Sequence, residues 1–85
     1  MKINAIIWEE VVIRSNEYRE WANCTIDYSS DRGTAWIVTE DFMGNHKSVL
    51  MGIDSIQELT PYSFKAKGKI FVGEVAYEAT LEAKF

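Results

Sequence analysis

The side chains best suited to catalysis or metal binding in this sequence are its one histidine, His46, and its one cysteine, Cys24. A histidine acts as a general base or a metal ligand only with suitable partners. His46 follows a predicted turn with no other histidine and no cysteine nearby, so we expect a solvated residue. Cys24 lies on the apolar side of a predicted strand and has no basic neighbour in sequence. We therefore expect a buried, unreactive thiol.

The thirteen acidic residues offer many carboxylates but no catalytic pair. Neighbours such as Glu9 and Glu10 point to opposite faces of a strand and cannot share a site. Glu74, Glu78 and Glu82 do share a face of the predicted last strand, where they form an acidic stripe. Such a stripe is typical of a solvated face, here partly neutralised by Lys65, Lys67 and Lys69. We expect neither a metal site nor a cofactor.

A lysine-rich segment, residues 67–72, raises the question of nucleic acid. It retains part of the pattern of RNA-recognition sheets, but Lys69 and Glu74 occupy the two positions where that pattern needs aromatic side chains. The same fold needs two helices, which this sequence does not predict. The net charge of −4 also argues against binding to nucleic acid or to an anionic membrane.

The length and apolar content predict one well-packed domain. The chain has 85 residues, of which 47% are hydrophobic. Alternating side chains predict a mostly β fold, with about six antiparallel strands in a meander that forms a small barrel or a strongly curled sheet. The first strand is expected over residues 3–13 and the second over 18–28, with a helix over 16–23 as the alternative.

The middle of the chain carries clear turn signals. Ser15-Asn16 predicts a turn before the second strand. Residues 30–33 and 44–45 predict tight turns on either side of a strand over residues 34–42. A two-residue loop at 44–45 would set Val38 opposite Met51 and Trp36 opposite Ile53. Farther on, Ser55 and Glu58 fit a capping box, which predicts one short helical turn over 55–58.

The last 25 residues alternate strongly, but the alternation shifts at Gly73. One interpretation places the turn at Lys67-Gly68 and makes Gly73 a bulge in a long final strand. The other places the turn at Val72-Gly73, which sets Phe64 opposite Leu81. We favour the first slightly, because a β-branched valine is a poor turn residue.

These patterns favour a non-catalytic protein-interaction module, for instance a small acidic inhibitor, immunity or accessory protein. The expected partner is another protein with a basic surface, bound through Trp21 and the acidic stripe of Glu74, Glu78 and Glu82. One cysteine and the lack of a leader-like segment predict a cytoplasmic location with no membrane association.

Two alternatives remain open. A closed barrel could bind a small apolar or aromatic ligand in an interior cavity lined by Trp36, Tyr62, Phe64 and Tyr77. An enzyme would have to work with carboxylates alone or borrow groups across a subunit interface. A homo-oligomer is compatible with the sequence, because the first and third strands are apolar on both faces.

Overall fold

The computed structural model of this protein describes residues 3–85 and shows a closed barrel of six antiparallel strands. Each strand pairs with its neighbour in sequence, and the first pairs with the last. Within residues 3–85 there is no helix. The predicted six-stranded antiparallel meander and its closure into a small barrel are therefore confirmed. The strands are β1 (Ile7–Arg14), β2 (Tyr18–Ser29), β3 (Thr34–Glu40), β4 (His46–Leu59), β5 (Ser63–Val72) and β6 (Val75–Lys84).

The barrel interior is filled by side chains from all six strands. Trp8 of β1, Met51 of β4 and Phe64 of β5 are fully buried there. Over most of their length strands β5 and β6 alternate as their sequence predicts and turn Ala66, Ile70, Ala79, Leu81 and Ala83 inward. At the hairpin end Val72 and Val75, which share these faces by alternation, are exposed. The outer positions of the same two strands carry the charged residues.

The first strand is shorter than expected. It begins at Ile7, because the chain turns at residues 4–5 before it enters the barrel. The side-chain oxygen of Asn4 accepts a hydrogen bond from the backbone N–H of Tyr28, 2.8 Å away. Ile3 is buried against the core. The segment before β1 thus packs against β2 and the core and adds nothing to the sheet.

The second strand spans Tyr18–Ser29, so the strand prediction is correct and the alternative helix over 16–23 is wrong. Its predicted facing is wrong in the first half. Asn23 has a φ of 54°, and the alternation reverses there. Cys24 and Ile26 point inward as expected, but Trp21 also packs against the core, while Ala22 is exposed.

The predicted turn at 30–33 is present, but the two-residue loop at 44–45 is not. Residues 41–45 form a five-residue connection between β3 and β4. Trp36 consequently pairs with Leu50, and Val38 with Ser48. Ala35 and Ile37 point inward, whereas Trp36 faces solvent. The expected inward facing of Trp36 is therefore wrong.

The helical turn predicted for residues 55–58 is also wrong, because these residues belong to β4. Ser55 pairs with Lys67 and Glu58 with Lys65 across the sheet. The register shifts between Ile53 and Ser55 and again before Glu58, and these bulges hide the strand alternation in the sequence. The Glu58 carboxylate accepts a hydrogen bond of 2.7 Å from the Ser63 hydroxyl instead of capping a helix.

The last hairpin turns at residues 73–74, so the favoured turn at Lys67-Gly68 is wrong. Val72 pairs with Val75, and Gly73 adopts a φ of 63° that suits a tight hairpin turn. The competing position at Val72-Gly73 was one residue early. Phe64 accordingly lies opposite Ala83 instead of Leu81.

Candidate functional site

Cys24 and His46, the two residues best suited to catalysis or metal binding, do not form a reactive centre. Cys24 is fully buried, and burial raises the pKa of its thiol. His46 lies exposed at the start of β4, where its Nε2 atom is 3.3 Å from a carboxylate oxygen of Glu40. In residues 3–85, no three His, Cys, Asp or Glu side chains are grouped to hold a metal ion.

The acidic stripe is placed on the outer surface but is interleaved with lysines. Glu78 pairs with Lys69 and Glu82 with Lys65 across β5 and β6. On its other side, Glu82 lies 3.8 Å from the guanidinium of Arg14. Glu74 lies exposed in the hairpin turn. The three glutamates therefore belong to a face of mixed charge.

A shallow groove of about 460 Å³ crosses this mixed-charge face. One row of cross-strand neighbours runs along it from Arg14 through Thr80 and Lys67 to Ser55. Asp54 and Glu78 also line the groove, so opposite charges alternate within it. Neither an anion nor a cation would find a field of one sign there.

Trp21, the predicted aromatic anchor, is partly buried and packs against the core. It also lines a small groove of about 200 Å³ with Glu20, Asp41 and Lys47. Much of its ring area is thus already used inside the protein. Trp21 is less exposed than the sequence predicted. Its assignment as a partner-binding residue stays a prediction.

The four aromatic residues expected to line an interior cavity do not face one another. Phe64 is buried in the core, with its ring centroid 5.9 Å from that of Tyr28. Tyr77 is partly buried, but Trp36 and Tyr62 are exposed on the outside. The predicted ligand cavity is therefore not assembled from these residues.

The most prominent surface feature is a row of large apolar side chains on the outer face. It consists of Trp36, Leu50 and Phe71, and we call it the Trp36 row. Trp36 pairs with Leu50 across β3 and β4. Met51 and Ile70 form the last pair of β4 with β5 at this end, and Leu50 and Phe71 each lie one residue beyond that pair, on the outer face. The three side chains are 45%, 49% and 66% exposed.

The Trp36 row continues at both ends. Phe71 pairs with Ala76 on β6, next to the exposed Val72 and Val75 of the hairpin end. Trp36 pairs with Asp27 on β2 at the other end. There an open groove of about 700 Å³ is lined by Trp36, Leu50 and several polar residues, namely Asp27, Ser29, Asp31, Arg32 and Thr34.

A second apolar feature is the loop over residues 41–45. Phe42 is 99% exposed, and Met43 beside it is also exposed. One carboxylate oxygen of Asp41 accepts hydrogen bonds of 2.9 Å from the backbone N–H groups of Met43 and Asn45. These bonds lower the pKa of Asp41, with the Asn45 N–H as the largest cause. The loop is thereby held in one shape while it presents Phe42 to solvent.

The Trp36 row was not predicted from the sequence, because Trp36 was expected to face the barrel interior. A signal was present, since Ala35 and Ile37 alternate on the opposite side of the same strand. Both faces of β3 are apolar, so alternation alone does not decide which one is buried. The neighbours Leu50 and Phe71 depend on long-range register, which local patterns do not give.

Comparison of the chain with protein-family models, with curated proteins and with solved structures finds no match. None of residues 3–85 lies in a helix long and apolar enough to cross a membrane.

Proposed function

We propose that this chain is a non-catalytic protein-binding module, of the inhibitor, immunity or accessory kind, that docks through the Trp36 row. The observation that carries the proposal is the exposure of Trp36, Leu50 and Phe71 at corresponding outward positions of three neighbouring strands. Single exposed apolar residues are ordinary, but contiguous apolar patches mark interaction sites.

The residue types support the same proposal. Tryptophan dominates the energetics of many interfaces, and aromatic residues are enriched in the centre of such surfaces. The row lies on regular strands of a closed barrel, so its side chains are held by a fixed backbone. A fixed surface loses little conformational entropy when it binds a partner. The packed interior leaves the outer surface as the place where binding would occur.

The proposal is tested by capture of a binding protein from extract of the native cell, using the immobilised chain and two variants. Trp36→Ser removes the largest side chain of the row, and we expect it to weaken capture at least about 30-fold, the effect of losing a 2 kcal/mol anchor. Tyr62→Ser is the matched control, because Tyr62 is an exposed aromatic residue that lies just before β5, far along the strand from Phe71.

The control variant should retain the captured protein. A protein bound equally well by Trp36→Ser and by the unmodified chain would contradict docking through the row. So would the absence of any protein that the unmodified chain captures and Trp36→Ser loses. The far-ultraviolet circular dichroism spectrum of each variant must first match that of the unmodified chain. A loss of capture then reflects the altered surface and not unfolding.

A further inference from the structure

We infer that the partner surface for the Trp36 row is a basic protein segment, which lays a lysine or arginine side chain on the Trp36 ring beside Asp27 and Asp31. The inference rests on the proposed function and adds the chemistry of the partner. It follows from the groove at the β2–β3 end of the row, where an exposed indole and two carboxylates line the same space.

The position of Asp27 is fixed by the sheet. It pairs directly with Trp36 across β2 and β3, and both face outward. Side chains of directly opposed residues lie about 4.5–5.5 Å apart at their Cβ atoms. A cation seated on the indole face would therefore lie within ion-pair range of the Asp27 carboxylate. Asp31, in the turn after β2, lines the same groove.

The charges of the groove are not already satisfied by the fold. Within residues 3–85, neither Asp27 nor Asp31 forms an ion pair, whereas four pairs form elsewhere. Arg32 also lines the groove and leaves it with two carboxylates against one guanidinium. The chain as a whole carries a net charge of −4, which adds a long-range attraction for a basic partner.

The apolar residues suit the rest of a basic side chain. Tryptophan is the best aromatic surface for a cation, through the negative face of its ring. Lysine and arginine also have long apolar stems that pack on apolar surface while the charged end stays near water. Leu50 lies beside Trp36 and provides such a surface. An acidic segment or a phosphate backbone would instead meet Asp27 and Asp31 with like charge.

The probe is a capped hexapeptide of alternating leucine and lysine, compared with the same peptide carrying glutamate in place of lysine. Binding is followed by nuclear magnetic resonance shifts of the Trp36 indole N–H and the Asp27 amide. We expect the lysine peptide to shift both signals with an affinity that falls as salt rises, and the glutamate peptide to shift neither.

Two variants assign the effect to the groove. The double variant Asp27→Asn with Asp31→Asn keeps the shape of both side chains but removes their charge, and should weaken the lysine peptide at least about tenfold. Asp54→Asn is the matched control on the mixed-charge face and should bind like the unmodified chain. Equal binding of both peptides, no binding of the lysine peptide at about 1 mM, or an unaltered double variant would overturn the inference.

The inference and the proposed function fail differently. If Trp36→Ser abolishes capture from extract but the double aspartate variant retains it, the row docks a partner that is not basic, and only the inference is wrong. If neither variant alters capture, the proposed function is wrong as well. If light scattering shows a dimer that Trp36→Ser dissociates, the row binds a second copy of the chain and the basic partner is excluded.

Discussion

Gly68 of β5 lies so close to Gly52 of β4 that a Cβ atom at position 68 would occupy the space of the Gly52 backbone oxygen. The two strands can approach this closely only because Gly68 has no side chain. The contact lies just before the register shift between Ile53 and Ser55. The contact therefore lies where the regular part of β4 ends and its bulged part begins.

Replacement of Gly68 by alanine should therefore damage the barrel severely. Overpacking usually costs about 1–3 kcal/mol, and a collision with backbone should lie at or above the upper end of that range. The free energy of unfolding, measured in urea, checks this. Gly73→Asn is the control, because Gly73 has a positive φ that asparagine tolerates and open space around it. Equal stability of Gly68→Ala and the unmodified chain would contradict the close approach.

Truncation of Trp21 should destabilise the fold more than truncation of Trp36. Trp21 packs against the core, so Trp21→Ala should lower the free energy of unfolding by roughly 2–4 kcal/mol. Trp36 stands on the outer face, so Trp36→Ala should cost less than about 1.5 kcal/mol. Urea denaturation followed by circular dichroism compares the two. The reverse order of stabilities would show that the facing of β2 and β3 is wrong.

The loop that presents Phe42 should lose its shape in acid. The pKa of Asp41 is lowered by the N–H groups it accepts, so the stabilisation is present above the ordinary carboxyl pKa of about 4 and is lost as the pH falls through the lower, folded value. The carboxyl resonance of Asp41 and the exchange of the Met43 and Asn45 amides report it. Asp41→Ala should show fast exchange at neutral pH.

Asp54→Asn serves as the control for that experiment, since Asp54 is an exposed carboxylate outside the loop. It should leave the exchange of the Met43 and Asn45 amides unaltered. Slow exchange of these amides in Asp41→Ala would mean that the loop is held by its backbone bonds alone, such as the one from the Gly44 N–H to the Asp41 carbonyl oxygen.

The Cys24 thiol should be protected in the folded protein. It is fully buried, and burial raises its pKa, so both access and thiolate content are low at pH 8. A disulfide reagent such as Ellman's reagent should react slowly in buffer and rapidly in urea above the unfolding midpoint. Cys24→Ala should fold with a modest loss of stability. Rapid labelling in buffer would place Cys24 at the surface.

The regular part of the fold follows from the sequence, and the irregular part does not. The alternation of β5 and β6 predicts the buried residues correctly from Phe64 to Ile70 and from Ala79 to Ala83, whereas Val72 and Val75, on the same faces, are exposed at the hairpin end. The alternation of β2 reverses at Asn23, whose positive φ leaves no clear mark in the sequence. The capping-box pattern of Ser55 and Glu58 is a local preference that pairing with β5 overrides.

The residues of the candidate site were not predicted from the sequence. Acidic charge and surplus aromatic residues indicated a binding surface, but Trp21 and the glutamate stripe were chosen from parity alone. Trp21 turns toward the core because the alternation of β2 reverses at Asn23, and Trp36 faces solvent because Ala35 and Ile37 take the inward positions of β3. The pairing of β3 with β4 places Leu50 beside Trp36, and the pairing of β4 with β5 brings Phe71 to the same end of the sheet, and no local pattern contains either register.

We expect the pairing of β1 with β6 to limit the rate of folding. Every other strand pair joins neighbours in the chain through a short connection, so five hairpins can form from local contacts. The seam between Glu10–Arg14 and Thr80–Lys84 instead closes a loop that contains the other four strands. The transition state for folding should therefore be limited by the entropy of that closure, and until it forms the chain is a curled ribbon with two unprotected edges.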